Sequence, residues 1–116
     1  MQRWFTDEAI AGGNAGYRYI ANMAHRFPRQ SFDAITAAMC QLDTTRRLGE
    51  ISVPTLVVAA PDDPGVPPEL SQMLARDIPH ATLHWLTPAR HLATLEHVET
   101  FNRLLRSHLM STAHAK

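Results

Sequence analysis

Val53-Pro54-Thr55-Leu56-Val57-Val58-Ala59-Ala60, running directly into Pro61-Asp62-Asp63-Pro64-Gly65-Val66-Pro67-Pro68, is the stretch that decides the fold. Its first half is rich in β-branched residues, continuously apolar and bounded by prolines, the pattern of a short strand buried on both faces of a parallel sheet. Pro54 fits as the first ladder residue, where its missing N–H is harmless. Pro67-Pro68-Glu69 then opens a helix at the position where proline is favoured, and Leu70, Met73, Leu74 and Ile78 form its predicted buried stripe before Pro79. Residues 81–86 read as a second strand. The loop Thr87-Pro88-Ala89-Arg90-His91 leads to a last helix carrying Val98, Phe101, Leu104, Leu105 and Leu109. Strand, helix, strand, helix predicts a right-handed crossover and an α/β fold with parallel strands. Two strands are too few for a parallel sheet covered on both faces, so this sequence predicts part of a larger sheet.

Upstream of residue 50 the texture is helical. Thr6-Asp7-Glu8 reads as an N-cap followed by acids that complement the helix dipole, and Gly12-Gly13 ends that helix. Gly12-Gly13-Asn14-Ala15-Gly16 reads as a loop. Tyr17, Ile20, Met23, Ala24 and Phe27 recur at helical spacing until Pro28. Ser31 is placed as the cap of a third helix whose apolar face is Phe32, Ile35, Ala38, Met39 and Leu42. The predicted organisation is a helical segment over 1–50, an α/β core over 51–110 and a flexible tail over 111–116.

Composition narrows the function classes. The chain has 116 residues, with 11 basic residues against 11 acidic, so its formal charge is zero and nothing supports binding to a phosphate backbone. Seven histidines add positive charge only below about pH 6.5. At 45% hydrophobic and 19% charged the chain is globular in composition, and a chain of this size is expected to bury about 65% of its unfolded surface. No apolar run approaches the length of a membrane span, and the N-terminus has no signal-peptide pattern. Cys40 stands alone, so no intrachain disulfide forms. These features predict a cytoplasmic protein with neither nucleic acid nor membrane as partner.

In open α/β sheets ligands bind beyond the carboxyl ends of the strands. The first strand delivers Asp62 and Asp63 there, and the second delivers His91. A carboxylate bonded to imidazole Nδ1–H fixes the tautomer and stabilises the imidazolium formed when Nε2 takes a proton, which is two thirds of a hydrolytic triad. Asp-Asp-Pro-Gly is also ordinary turn chemistry, and a lone loop histidine is commonly solvated. His80 and His84 sit four apart on a predicted strand, about 13 Å from each other, so they do not share a metal. His91 and His97 lack a third ligand at recognisable spacing. Cys40 reads as a buried small hydrophobe beside Met39, and Trp4, Phe5 and Phe27 as packing aromatics or pocket lining.

The residues from Val53 to Ala59, then Asp63-Pro64-Gly65-Val66-Pro67-Pro68, then Ala89-Arg90-His91-Leu92 and Glu96, resemble the C-terminal part of the α/β-hydrolase family, with its strand and acid loop (VPTLVIxGxxDxxTPP) and its AxH loop followed by a glutamate. Arg3-Trp4-Phe5-Thr6 and Ala38-Met39-Cys40-Gln41-Leu42-Asp43 resemble, more narrowly, the lid and lid-to-core return of 3-oxoadipate enol-lactonase-like members. The resemblance spans nearly the whole chain. It implies Asp63 as the triad acid and His91 as the triad base, with no cofactor and no metal. Asp62 falls where the family varies and reads as a turn residue. Ala60 stands where the family has glycine and Val66 where it has threonine, which bears on the placement of the acid.

The family's nucleophile is a serine on a G-x-S-x-G elbow. Only Gly12 and Gly16 are four apart, and Asn14 lies between them. The resemblance therefore implies the C-terminal half of an α/β-hydrolase fold without its nucleophile half, inactive alone, acting in the complete enzyme on a small-molecule ester or lactone. Arg3 or Arg18 is a candidate for pairing with a substrate carboxylate, with a solvated surface arginine as the commoner alternative. Two other readings stay open: a non-catalytic half-domain that self-associates or pairs with a complementary N-terminal half through its exposed sheet edge, and a haloperoxidase, dehalogenase or carbon–carbon hydrolase of the same fold.

Overall fold

The computed structural model describes residues 1–26 and 28–113. Strands β1 (Thr55–Ala59) and β2 (Ala81–Trp85) pair in parallel, with Thr55 opposite Ala81 and Ala59 opposite Trp85. The ladder is shorter than the apolar run because Pro54 and Pro61 flank it, and neither carries an N–H to donate. Helix α4 (Pro68–Asp77) makes the crossover, with Pro67 as N-cap and Pro68 at the first helical position. It packs on both strands. Its buried residue is Ser71, whereas Leu70 is largely exposed. The helix thus faces the sheet along the Ser71, Leu74, Ala75 and Ile78 row, rotated from the expected stripe.

Helices α5 (Ala93–Glu96) and α6 (Val98–Ala113) follow β2. Ala60, Leu86, Ala89 and Ala93 form the buried cluster, and Val58, Phe101 and Leu104 pack against it. Val98, Leu105 and Leu109 are more exposed than their helical spacing predicts. Helix α6 continues through Ala113, so residues 111–113 are helical and not a frayed tail.

The N-terminal half holds α1 (Asp7–Ala11), α2 (Ala15–Ala24), α3 (Arg29–Cys40) and a 3₁₀ turn over Thr45–Glu50. Thr6 caps α1 by accepting from the Ala9 N–H, and Gly13 turns the chain at φ 62°. Asn14 then caps α2, accepting from Gly16 and Tyr17. The expected loop over 12–16 is therefore a compact helix-to-helix turn. Phe5 is wholly buried and meets Tyr17 edge to face, ring centroids 5.7 Å apart. Helix α3 starts at Arg29, placing Ser31 inside its first turn and not at its cap. Phe27 lies outside the described residues.

Helix α3 has no burial partner among the described residues. Phe32, Ile35, Met39 and Leu42, its predicted inner face, are exposed, and so is Cys40. The whole chain exposes 8728 Å². A compact monomer of this mass exposes about 6,300 Å², so burial reaches only about 54% of the unfolded surface and not the expected 65%. The radius of gyration of 16.1 Å exceeds the compact value of about 13 Å in the same sense. The exposed face of α3 and an open sheet both fit this: β1 and β2 each have one ladder partner, and their outer edges have none among the described residues.

Where elements do meet, contact is close. A Cβ on Gly16 would lie 2.7 Å from the Leu95 Cβ, so glycine lets α2 approach α5. Gly16→Ala is expected to cost about 1–3 kcal/mol by overpacking. Gly49→Ala, with open space around its Cβ, is expected to be neutral or slightly stabilising. Thermal unfolding followed by circular dichroism compares the two.

Candidate active site

Because β1 and β2 are parallel and in register, their carboxyl ends point the same way, and the loops that follow lie side by side. The backbone turns at once after β1, with the Asp63 N–H donating to the Ala60 carbonyl at 3.3 Å. This turn aims the Asp63 carboxylate at the second loop. Its Oδ2 lies 2.8 Å from His91 Nδ1, and its Oδ1 accepts the Gly65 N–H at 2.7 Å. Against an ionised carboxylate, which only accepts, a neutral His91 donates from Nδ1 and keeps the Nε2 lone pair free. The Asp63 side chain is 9% exposed and that of His91 44%, an acid withdrawn from water beside an imidazole that reaches it.

Gly65 is part of this geometry. A Cβ there would stand 3.2 Å from Asp63 Oδ1 and 3.7 Å from His91 Nδ1, so a side chain would press on both members of the pair. Asp62 is exposed in the same turn, in keeping with its reading as a turn residue. Of the two positions where the sequence departs from the family pattern, Ala60 is buried in the core and Val66 lines the adjoining cavity. That cavity, of about 200 Å³, is lined by Asp63, His91, Val66, Ser71 and Thr94 among others. Ser71 and Thr94 were not anticipated as lining. The helical row through Ser71, Leu74 and Ile78 was the signal available for the former.

The histidine loop is tied to the start of the chain. Glu96 Oε1 accepts the Arg90 N–H at 2.9 Å, while Oε2 accepts from the Thr6 N–H at 2.9 Å and the Thr6 hydroxyl at 2.5 Å. Arg90 Nη1 donates to the carbonyls of Gln2 and Phe5 and to Asp7. On the other side of His91, the Leu92 N–H donates to the Trp4 carbonyl at 2.9 Å. The contribution of Trp4 to this region is thus a backbone one, and Phe5 packs on Tyr17 instead of lining the cavity.

Other candidates are not brought to the pair. Among the described residues His91 hydrogen-bonds to Asp63 and to no hydroxyl or thiol. His80 sits ahead of β2 in a left-handed turn (φ 59°), His84 lies within β2, and His97 Nε2 is engaged by the Pro88 carbonyl at 2.8 Å. No group of three metal-binding side chains occurs among the described residues. Arg3 donates to the Pro64 carbonyl at 3.2 Å, which sets its exposed guanidinium against the acid loop, whereas Arg18 lies exposed on α2. The carboxyls held below their ordinary range are Asp43, by the Thr45 hydroxyl and N–H, and Asp77, by the Arg76 guanidinium. Neither lines the cavity. No helix among the described residues is long and apolar enough to cross a membrane.

No family model matches the chain. It is similar to a 2-hydroxy-6-oxononadienedioate/2-hydroxy-6-oxononatrienedioate hydrolase of Cupriavidus pinatubonensis, 41% identical over 63 residues, which cover 54% of this chain and 22% of that protein. It is 39% identical over 82 residues to the protein named "Putative carbamate hydrolase RutD" in Variovorax paradoxus, covering 71% of this chain and 31% of that one. A 2-hydroxy-6-oxo-6-phenylhexa-2,4-dienoate hydrolase of Burkholderia cepacia is 42% identical over 62 residues, covering 53% and 22%. These relatives are hydrolases of the α/β-hydrolase type, and they support that superfamily for this chain without singling out the enol-lactonase branch. The chain spans about a fifth to a third of the length of the relatives it matches.

Asp63→Asn tests the pair. The amide keeps an oxygen for the Gly65 N–H and turns its NH₂ toward His91, so the imidazole is expected to exchange its Nδ1–H tautomer for Nε2–H. The ¹⁵N chemical shifts of neutral His91 report this directly.

Proposed function

We propose that this chain carries the acid and base of a hydrolase site. His91 takes the proton of an attacking hydroxyl at Nε2, passes it to the leaving group, and then activates water for the second half-reaction. Asp63 fixes the imidazole tautomer and stabilises the imidazolium. The observation that carries this reading is a nearly buried carboxylate bonded to Nδ1 of a half-exposed histidine, at the carboxyl end of a parallel sheet and on the wall of a cavity. The substrate class proposed is a small-molecule ester or lactone, as in enol-lactonase-like enzymes. The names of the relatives widen it to carbamates and to 2-hydroxy-6-oxo carboxylates. Arg3, bonded to the Pro64 carbonyl of the acid loop, is the candidate partner proposed for an anionic substrate. The chemistry needs no resident cofactor.

The nucleophile and the oxyanion donors are proposed to come from outside these 116 residues, since no G-x-S-x-G occurs in them. The chain alone is then expected to turn over p-nitrophenyl acetate no faster than background. Turnover that is lost in His91→Ala would overturn that expectation. In a polypeptide extended through its reading frame to an upstream G-x-S-x-G, His91→Ala is expected to lower kcat by about 10⁶-fold. Retention of full activity there would overturn the role of His91.

The large exposed surface favours a second reading, a half-domain that completes its sheet by association. The excess over a compact monomer is about 2,400 Å², more than one partner contributes to a standard interface. The unpaired edge of β1 is a template for strand addition. Sedimentation velocity over a wide concentration range is expected to reveal self-association, and a compact, folded monomer throughout would count against it.

A further inference from the structure

We infer that Glu96 is a positioning residue for His91, acting through a strap formed by residues 2–7. The inference rests on the acid–base reading of Asp63 and His91 and adds to it the group that holds the histidine loop in place. Asp63 restrains the imidazole from one side only. The backbone that presents the imidazole is anchored at the residues immediately before and after it: the Arg90 N–H ends on Glu96, and the Leu92 N–H on the Trp4 carbonyl of the N-terminal segment. Glu96 is the junction: one oxygen holds the Arg90 N–H, and the other holds both the N–H and the hydroxyl of Thr6, which caps α1. Residues nearly the whole chain apart therefore share one carboxylate.

The chemistry of the junction calls for a carboxylate. Two backbone N–H groups point at different oxygens of the same side chain. A glutamine has one oxygen and one NH₂, so in either orientation it sets a donor against a donor. Hydrogen bonds to an ionised acceptor are also the stronger kind, and a partly buried N–H left without a partner is costly. Arg90 supports the same junction with its guanidinium on Gln2, Phe5 and Asp7. Within residues 2–5 the contacts to Arg90 and Leu92 are made by main-chain carbonyls, and the buried Phe5 ring holds the segment against Tyr17.

The test is the tautomer of neutral His91, read from imidazole ¹⁵N shifts in the intact chain, with dispersed core methyl signals of Val58 and Leu86 as the check on folding. In the parent chain the Nδ1–H form is expected to dominate. Glu96→Gln is expected to lower the ratio of Nδ1–H to Nε2–H on the order of tenfold, as the loop slackens and the bond to Asp63 is populated less. Thr6→Ala is expected to shift the ratio in the same direction by less, and Thr6→Ser to restore it. A folded Glu96→Gln chain with the parent ratio overturns the inference. Should Glu96→Gln fail to fold, a folded Thr6→Ala chain with the parent ratio overturns it equally. A parent chain without a dominant Nδ1–H form, or one unaltered by Asp63→Asn, would instead sink the acid–base pair itself, so the two failures are distinguishable.

Discussion

Two adjacent parallel strands cannot be joined by a tight turn, and this constraint organises everything else in the chain. The connection must return along the sheet, here as α4, and it leaves the carboxyl ends of β1 and β2 side by side. Whatever follows each strand is therefore brought to one edge. Residues 28 positions apart meet at 2.8 Å because the crossover and the register leave their loops as neighbours. The prolines on either side of β1 sharpen this outcome: they end the ladder, and the chain turns immediately into the acid loop.

Around that edge the structure spends polar contacts on holding loops. Asp63 has both oxygens occupied, one by the Gly65 N–H and one by His91, and Gly65 supplies the clearance this needs. The histidine loop is braced locally by His97 on the Pro88 carbonyl and by the Ala93 N–H on the Arg90 carbonyl. It is fixed by Glu96, Arg90 and the carbonyls of the first few residues, so the extreme N-terminus takes part in the site without lining its cavity. Charge-assisted bonds to main-chain groups suit this task, since they are directional and each removes an unsatisfied donor or acceptor.

The same chain is densely hydrogen-bonded at this edge and open elsewhere. Its buried cluster is small and built largely from alanines, with Leu86 the one large aliphatic in it. Helix α3 turns an apolar row toward water, and β1 keeps a free edge. A patterned helix face without a neighbour and a parallel strand with one partner are the same physical statement: apolar surface and backbone donors that the described residues do not cover.

Periodicity and punctuation alone made most of the local structure legible. The apolar run bounded by prolines marked β1, Pro67-Pro68 marked the start of α4, Thr6 and Gly12 marked the ends of α1, and Asp63 and His91 stood out as an acid and a base at successive strand ends. These are short-range signals, set by proline's missing N–H, by capping and by side-chain spacing. Tertiary structure decided which face of each helix was used. The row through Ser71 displaced Leu70 as the buried face of α4, and the apolar face of α3 stays exposed among the described residues, because spacing along a helix says where a stripe is and nothing about what it meets. It likewise decided that Glu96 and Thr6 share a carboxylate and that Arg90 reaches the first residues of the chain. Such contacts depend on where separate loops come to rest in space, which the order of residues along the chain does not encode locally.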